Sequence, residues 1–150
     1  MDVRHVDGAE FAPTAERILR SLPAWFGIES SLVEYVADVR HMPTWAAFDG
    51  ERAVGFVSVR VHFATSWEVH VLAAVEPHRR GVGRALVAAV EAAARAAGAR
   101  LLHVKTLGPA RPNAEYARTR AFYEGVGFLP LEERLDLWGG NPCLFMVKAL

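Results

Sequence analysis

Glu68-Val-His-Val-Leu-Ala-Ala-Val-Glu-Pro-His-Arg-Arg-Gly-Val-Gly-Arg-Ala-Leu-Val87 alternates as a strand, stops at Pro77, passes through a basic glycine turn and leaves as a helix. A strand that feeds a glycine-rich turn at a helix start has the pattern of a phosphate cradle. In that geometry the amides from about Arg79 to Ala85 converge on one spot. The helix dipole adds positive potential there, and Arg79, Arg80 and Arg84 add formal charge. Gly81 and Gly83 carry no Cβ, so backbone can come close to a ligand. An isolated Gly-x-Gly more often marks an ordinary connection with solvated arginines. The remainder of the chain decides between the two.

The chain has 150 residues, 52% of them hydrophobic, which suits a single compact domain over 1–150. Seventeen lysines and arginines balance 17 aspartates and glutamates, so no overall positive field attracts nucleic acid, and the basic cluster at 79–84 is local. A small polyphosphate fits that cluster better than a polyanionic macromolecule. The N-terminus lacks a basic segment followed by an apolar run, and no apolar stretch approaches the roughly 18 residues that cross a bilayer. No membrane partner is expected, and a cytoplasmic location is. The one cysteine, Cys143, permits no intrachain disulfide, in keeping with a reducing compartment. The six histidines show no pair at helical or zinc-finger spacing, so no metal site is expected.

Around the opening stretch, residues 1–7 read as a short strand, and Glu10–Ser21 and Glu29–Arg40 as helices about a break at 22–27. Trp45–Asp49 and Ala53–Phe63 read as strands joined at the Asp49-Gly50 hairpin signal. A three-residue link at 64–66 leads to the strand at 67–75. A tight hairpin there would set His62 opposite Glu68 and Arg60 opposite His70, gathering four polar groups on one patch of sheet. The helix at 83–97 places Leu86, Val90 and Ala94 on one stripe and ends at Gly98. Arg100–Thr106 follows as a strand, and strand–helix–strand implies a right-handed crossover between parallel strands. Helix 116–125 and an antiparallel pair, 128–137 with 143–150, close the chain. Where parallel strands diverge, a ligand crevice opens at their C-terminal ends. A nicotinamide-binding Rossmann domain does not fit: there is no third glycine at the required spacing, no acidic residue ending the next strand, and antiparallel strands precede the loop.

Two separated blocks resemble the GNAT superfamily of acyl-CoA-dependent N-acetyltransferases, and the terminal segment Leu135-Asp-Leu-Trp-Gly-Gly-Asn-Pro-Cys143 resembles a subset of its bacterial members. Leu72-Ala-Ala-Val75 followed by Arg79-Arg-Gly-Val-Gly-Arg-Ala-Leu-Val87 is similar to the family's pyrophosphate loop and helix. Ala121-Phe-Tyr-Glu-Gly-Val-Gly-Phe128 is similar to its Phe-Tyr-x-x-x-Gly-Phe signature. The resemblance implies an α/β fold with a mixed, mostly antiparallel sheet, one splayed parallel strand pair, and about four helices on its two faces. It implies acetyl-CoA as acyl donor, with the pyrophosphate on the amides and charges of Arg79, Arg80, Gly81, Val82, Gly83, Arg84 and Ala85. The pantetheine arm would lie along Leu72, Ala73, Ala74 and Val75, and a backbone amide around Leu72 to Ala74 would meet the oxyanion. Tyr116, which stands where the family often has asparagine, and Arg118 and Phe122 on the same helix would complete the cofactor contacts. His78 stands where the family usually has Gln or Arg.

The resemblance further implies direct transfer to a primary amine in a ternary complex. Tyr123 becomes the candidate acid for the departing thiolate, since a phenol is protonated at neutral pH. Glu68 is the candidate base, with His70 and His62 as alternatives. Lys105, His103 and Arg118 stand within possible reach of coenzyme or acceptor, and Cys143 reads as a small core residue. Acceptor selection in this family falls to the first helices and last strands, which here supply Trp25, Phe26, Glu29, Tyr35, Asp136, Trp138 and Asn141. Aromatics with acids would suit a cationic amine with an apolar body. A monomer or a homodimer is compatible with the closing strands. The competing reading is a non-catalytic coenzyme A sensor that keeps the loop without turnover.

Overall fold

The computed structural model describes residues 1–76 and 81–150. Its elements run β1 (Asp2–Val6), α1 (Gly8–Arg20), α2 (Pro23–Phe26), α3 (Glu29–Val39), β2 (Thr44–Asp49), β3 (Arg52–Phe63), β4 (Ser66–Ala74), α4 (Val82–Ala96), β5 (Leu101–Leu107), α5 (Ala114–Gly125), β6 (Leu129–Trp138) and β7 (Asn141–Ala149). The seven strands form one sheet in the order β1-β2-β3-β4-β5-β7-β6. All neighbouring pairs are antiparallel except β4 and β5. The expected mixed sheet with one parallel junction is what the chain builds, and the helix count exceeds the expected four by the single turn α2.

Local chemistry accounts for the boundaries. Asp7 caps α1 by accepting from the Glu10 amide at 3.2 Å. Proline at the first position of α2 turns the expected break into a helical turn. Asn113 caps α5 by accepting from the Tyr116 amide at 3.0 Å, so this helix begins at Ala114, earlier than the apolar pattern indicates. Gly98, just past the end of α4, takes φ +91°, a left-handed conformation that favours glycine.

The core joins Phe11, Ile18 and Leu19 of α1, the inner residues of β3 and β4, and Leu86, Val87, Val90 and Ala94 of α4. Each fully buried aliphatic side chain contributes about 1.5–3 kcal/mol over its exposed state. Lys148 of β7 bonds both the Glu91 carboxylate of α4 and the Val126 carbonyl that ends α5, tying the last strand to both helices.

Two irregularities position the site. The β4–β5 ladder runs only from Ser66↔Leu101 to Val69↔Val104, although β4 continues to Ala74 and β5 to Leu107, so the strands part halfway along. The β3–β4 ladder slips between Ser58 and Val59 and again between Val61 and Phe63. The paired residues are Ser58↔Val71, Val59↔Val69, Val61↔Trp67 and Phe63↔Ser66, which leaves His70 unpaired in the first bulge and His62 in the second. The register expected from a tight hairpin is thereby corrected: Arg60 is the residue opposite Glu68, and neither histidine has a cross-strand partner.

Candidate active site

A bulge bends its strand and re-aims the extra side chain, and both bulges here serve one open cavity of about 380 Å³. Its lining is Tyr35 from α3, Arg60 and His62 from β3, Glu68 and His70 from β4, Lys105 from β5 and Trp138 from β6. The four polar residues anticipated as one patch do converge, through bulges rather than simple pairing.

Glu68 is the buried member, only 4% exposed. Its Oε1 lies 2.6 Å from His62 Nε2, and its Oε2 lies 3.6 Å from Lys105 Nζ. Burial raises the Glu68 pKa, but the hydrogen bond from His62 and the charges of Lys105, His103 and His62 together outweigh it, leaving the carboxyl below the ordinary glutamate value. His103 is the register partner of Glu68 across the parallel pair, and its ring centroid lies 5.1 Å from that of His62. Burial lowers the His103 pKa and favours the neutral ring. His70 forms a second carboxylate–imidazole pair, with Nε2 2.9 Å from Asp38 Oδ2, and its ring faces Tyr35 at 5.5 Å. The Arg60 side chain makes no hydrogen bond or ion pair with any described residue.

On the other side of the strand divergence lies the start of α4. Gly81 occupies its N-cap at φ +76°, and among the described residues no side chain caps the helix, which leaves its first-turn amides suited to bind an anion. Arg79 and Arg80 of the expected cradle, with Pro77 and His78, lie outside the described residues. Gly83 has a further role: a Cβ there would stand 2.9 Å from Cζ of Phe122, so the glycine lets α5 close onto α4. The Arg84 guanidinium reaches α5 beside Gly125. At the end of β4, the Val75 amide donates to the Val54 carbonyl at 2.9 Å and is engaged. Leu72, Ala73 and Ala74 lie where β4 no longer pairs with β5.

Tyr123 is buried between the rings of Phe122 and Phe128, with centroids at 5.3 and 5.4 Å. Burial pushes its pKa far above the ordinary tyrosine value, so the phenol keeps its proton.

Residues 40–130 match the family model of the acetyltransferase (GNAT) domain. The chain belongs to the GNAT acetyltransferase family. The same architecture recurs in solved structures. A protein assigned to this family from Desulfovibrio desulfuricans aligns over 99% of this chain and 98% of its own, with a TM-score of 0.80 and 22% identity. The aminoglycoside 6'-N-acetyltransferase from Enterococcus faecium aligns over 99% and 97%, with a TM-score of 0.79 and 21% identity. An aminoglycoside 6'-N-acetyltransferase complexed with coenzyme A aligns over 99% and 97%, with a TM-score of 0.80 and 20% identity. At these identities the likeness establishes the fold. No curated protein matches the sequence.

Within this GNAT protein the sequence-expected residues divide into groups. Glu68, His70 and Trp138 line the cavity; Gly81, Val82, Gly83, Arg84 and Ala85 open α4; Leu72 to Ala74 lie at the divergence. Trp25 and Tyr116 instead join α2 to α5: Tyr116 donates from its hydroxyl to the Trp25 carbonyl at 3.0 Å, and the Trp25 indole N–H donates to Thr119 Oγ1 at 3.1 Å. Trp25 and Arg118 line a separate hollow of about 280 Å³ with Glu76 and Glu115. Phe26 stands edge-on to Tyr35 at 5.7 Å and so supports the cavity wall. Glu29 is held by Arg20 through two 2.8 Å bonds, Asp136 is paired with Arg134, and Asn141 accepts from Arg111. Cys143 is buried, and burial raises its thiol pKa. Asp38 was not expected in the site, because its contact with His70 spans 32 residues and leaves no local pattern. Among the described residues, no helix is long and apolar enough to cross a membrane.

Proposed function

We propose that this GNAT protein is an acetyl-CoA-dependent N-acetyltransferase that transfers the acyl group directly to an amine held in the β3–β4–β5 cavity. The observation that carries this reading is continuity along β4: the strand that supplies Glu68 and His70 to the cavity continues past the β5 divergence toward the uncapped start of α4. An anion at that helix start and an amine in the cavity would approach opposite ends of one short strand segment. The residues present fit coenzyme A, since the positive-φ Gly81 and the uncapped helix offer amides to a pyrophosphate. Bound there, acetyl-CoA supplies the activated acetyl thioester.

The chain's own groups then divide the work. As the new C–N bond forms and the C–S bond breaks, the amine proton passes to the His62–Glu68 pair, directly or through water. Free backbone amides among Leu72, Ala73 and Ala74 face the carbonyl oxygen as it gains charge. The Tyr123 hydroxyl gives its proton to the leaving sulfur. The proton held by the His62–Glu68 pair is lost to solvent and the Tyr123 phenolate takes one back from solvent as products leave, so both groups end the cycle in their starting protonation states.

The lining also selects an acceptor. Its one carboxylate, Glu68, is committed to His62 and Lys105, whereas the Arg60 guanidinium has no described partner beside the aromatic walls of Tyr35 and Trp138. This arrangement suits an amine that also bears an acidic group and an apolar body. This reading departs from the expectation of a cationic acceptor; two acids behind that expectation, Glu29 and Asp136, are in ion pairs with Arg20 and Arg134. Several structural neighbours are named for aminoglycosides, but a polycation would meet Arg60 and Lys105 here.

Calorimetric titration of acetyl-CoA, followed in the same preparation by thiol release against amines with and without a carboxylate, tests the reading. Binding with release, fastest for the carboxylated amines, supports it. Binding without release from any amine supports a coenzyme sensor instead, and no binding removes the cradle.

A further inference from the structure

The polar patch holds a set of groups that acetyl transfer does not require together. Glu68 and His103 are register partners on the parallel pair β4–β5, and the second bulge of β3 turns His62 toward them. One donor atom from each of His62, Glu68 and His103 lies within 4.8 Å of the other two. Three adjacent strands therefore present two imidazoles and a carboxylate at one point, beside the open cavity that His62 and Glu68 line.

We propose that His62, Glu68 and His103 form a binding site for a divalent transition ion of the zinc class, with its fourth coordination position facing the cavity. Ligand atoms about 2.1 Å from a tetrahedral zinc ion stand about 3.4 Å apart. The 2.6 Å His62–Glu68 contact opens, and any wider separation closes, by no more than a side-chain rotation supplies. The ion replaces the proton shared between His62 Nε2 and Glu68 Oε1. Glu68 Oε2 keeps its place near Lys105, the outer partner that orients a ligating carboxylate.

The same surroundings set the identity of the ion. Lys105 and Arg60 are cations close to the site, which penalises weakly held ions, while two imidazole nitrogens favour zinc over magnesium or calcium. From that same position the Lys105 ammonium also lies 5.7 Å from the centroid of Phe145. Two of the three ligands are the pair assigned above to accept the amine proton. Zinc therefore inhibits transfer in competition with the acceptor and leaves acetyl-CoA affinity unchanged. The binding itself stands independently of the proposed reaction.

The test is calorimetric titration of zinc chloride into untagged, chelator-treated protein, with the visible spectrum of the cobalt-substituted form as a second readout. Wild type is expected to take up one ion per chain and to give the intense bands of tetrahedral cobalt. His103→Ala is expected to weaken binding at least tenfold and lose those bands. His41→Ala, an exposed histidine elsewhere, should bind as wild type. Absence of uptake by wild type, or equal affinity in His103→Ala, overturns the site even if the protein is an active acetyltransferase. Absence of acetyl transfer with zinc bound through His103 would leave the site standing and remove the enzymatic reading alone.

Discussion

Glu68 bonds His62 at 2.6 Å, although the residue directly across the strand pair from Glu68 is Arg60. The second β3 bulge makes this possible by adding His62 as an extra residue and swinging it over the carboxylate. Arg60 stands across from Glu68 in the bulged register, but the carboxylate bonds His62 and Lys105 and forms no ion pair with the guanidinium. The Glu68–His62 pair is the candidate proton acceptor, and Arg60 the candidate anion receptor.

If Arg60 receives the acidic group of the acceptor, its loss should appear in binding rather than in chemistry. Arg60→Ala is expected to raise KM for carboxylated amines about tenfold or more, the loss of a charge-assisted bidentate contact, with kcat little changed and neutral amines unaffected. Steady-state kinetics on matched pairs of amines check this, and an equal effect on both kinds of amine would exclude the role.

Tyr123→Phe should lower kcat by roughly a hundredfold, the scale of one acid catalyst, without altering acetyl-CoA affinity. The fold should tolerate the change, because the phenol packs between Phe122 and Phe128 and makes no hydrogen bond with a described side chain. A thermal melt with rapid kinetics on the same sample separates the two effects. Unchanged turnover would remove Tyr123 as the acid.

Stability should depend on acid in a definite direction. Burial raises the Glu68 pKa, but the His62 bond and neighbouring positive charge pull it below the ordinary value of 4.5. The ionised form is therefore favoured in the folded chain over the unfolded one. That contribution is complete above pH 4.5 and disappears as pH falls through the lower folded value. Melting temperatures of wild type and Glu68→Gln should accordingly converge on acidification below pH 4.5, whereas a gap that widens there would contradict the ion-pair geometry.

The contact between Gly83 and Phe122 predicts a coupled pair of substitutions. Gly83→Ala in wild type meets the ring at 2.9 Å, and overpacking of this kind costs about 1–3 kcal/mol. With Phe122→Leu already in place, the same change should approach the gain of about 1 kcal/mol that alanine brings to a helix over glycine. Denaturant unfolding of the four proteins measures the coupling, and strict additivity would show that the ring does not occupy that space.

Much of this architecture is legible because its determinants are local. Asp49-Gly50 marks the β2–β3 turn, Gly98 the end of α4, and the apolar stripe Leu86, Val90, Ala94 the buried side of that helix. The parallel junction follows from strand–helix–strand order. Bulges do not announce themselves in this way. The alternation through 53–63 runs straight past His62, and only the pairing with β4 shows that His62 and His70 are the extra residues. The His70–Asp38 and His62–His103 approaches join distant segments, so no spacing encodes them. The same holds for the candidate ion site, whose ligands come from three strands rather than from one helix or loop. Tyr116 and Trp25 stand out as aromatics in the sequence, yet their hydrogen bonds place them at the α2–α5 contact.

The central claim is that Glu68 stands at the point of proton transfer in an acetyl-CoA-dependent reaction. Thiol release at saturating acetyl-CoA and acceptor, measured for wild type and Glu68→Gln with coenzyme affinity determined on the same samples, tests it most directly. The account expects turnover by wild type, a loss of kcat of a hundredfold or more in Glu68→Gln, and equal affinities. Equal kcat in the two proteins would contradict it.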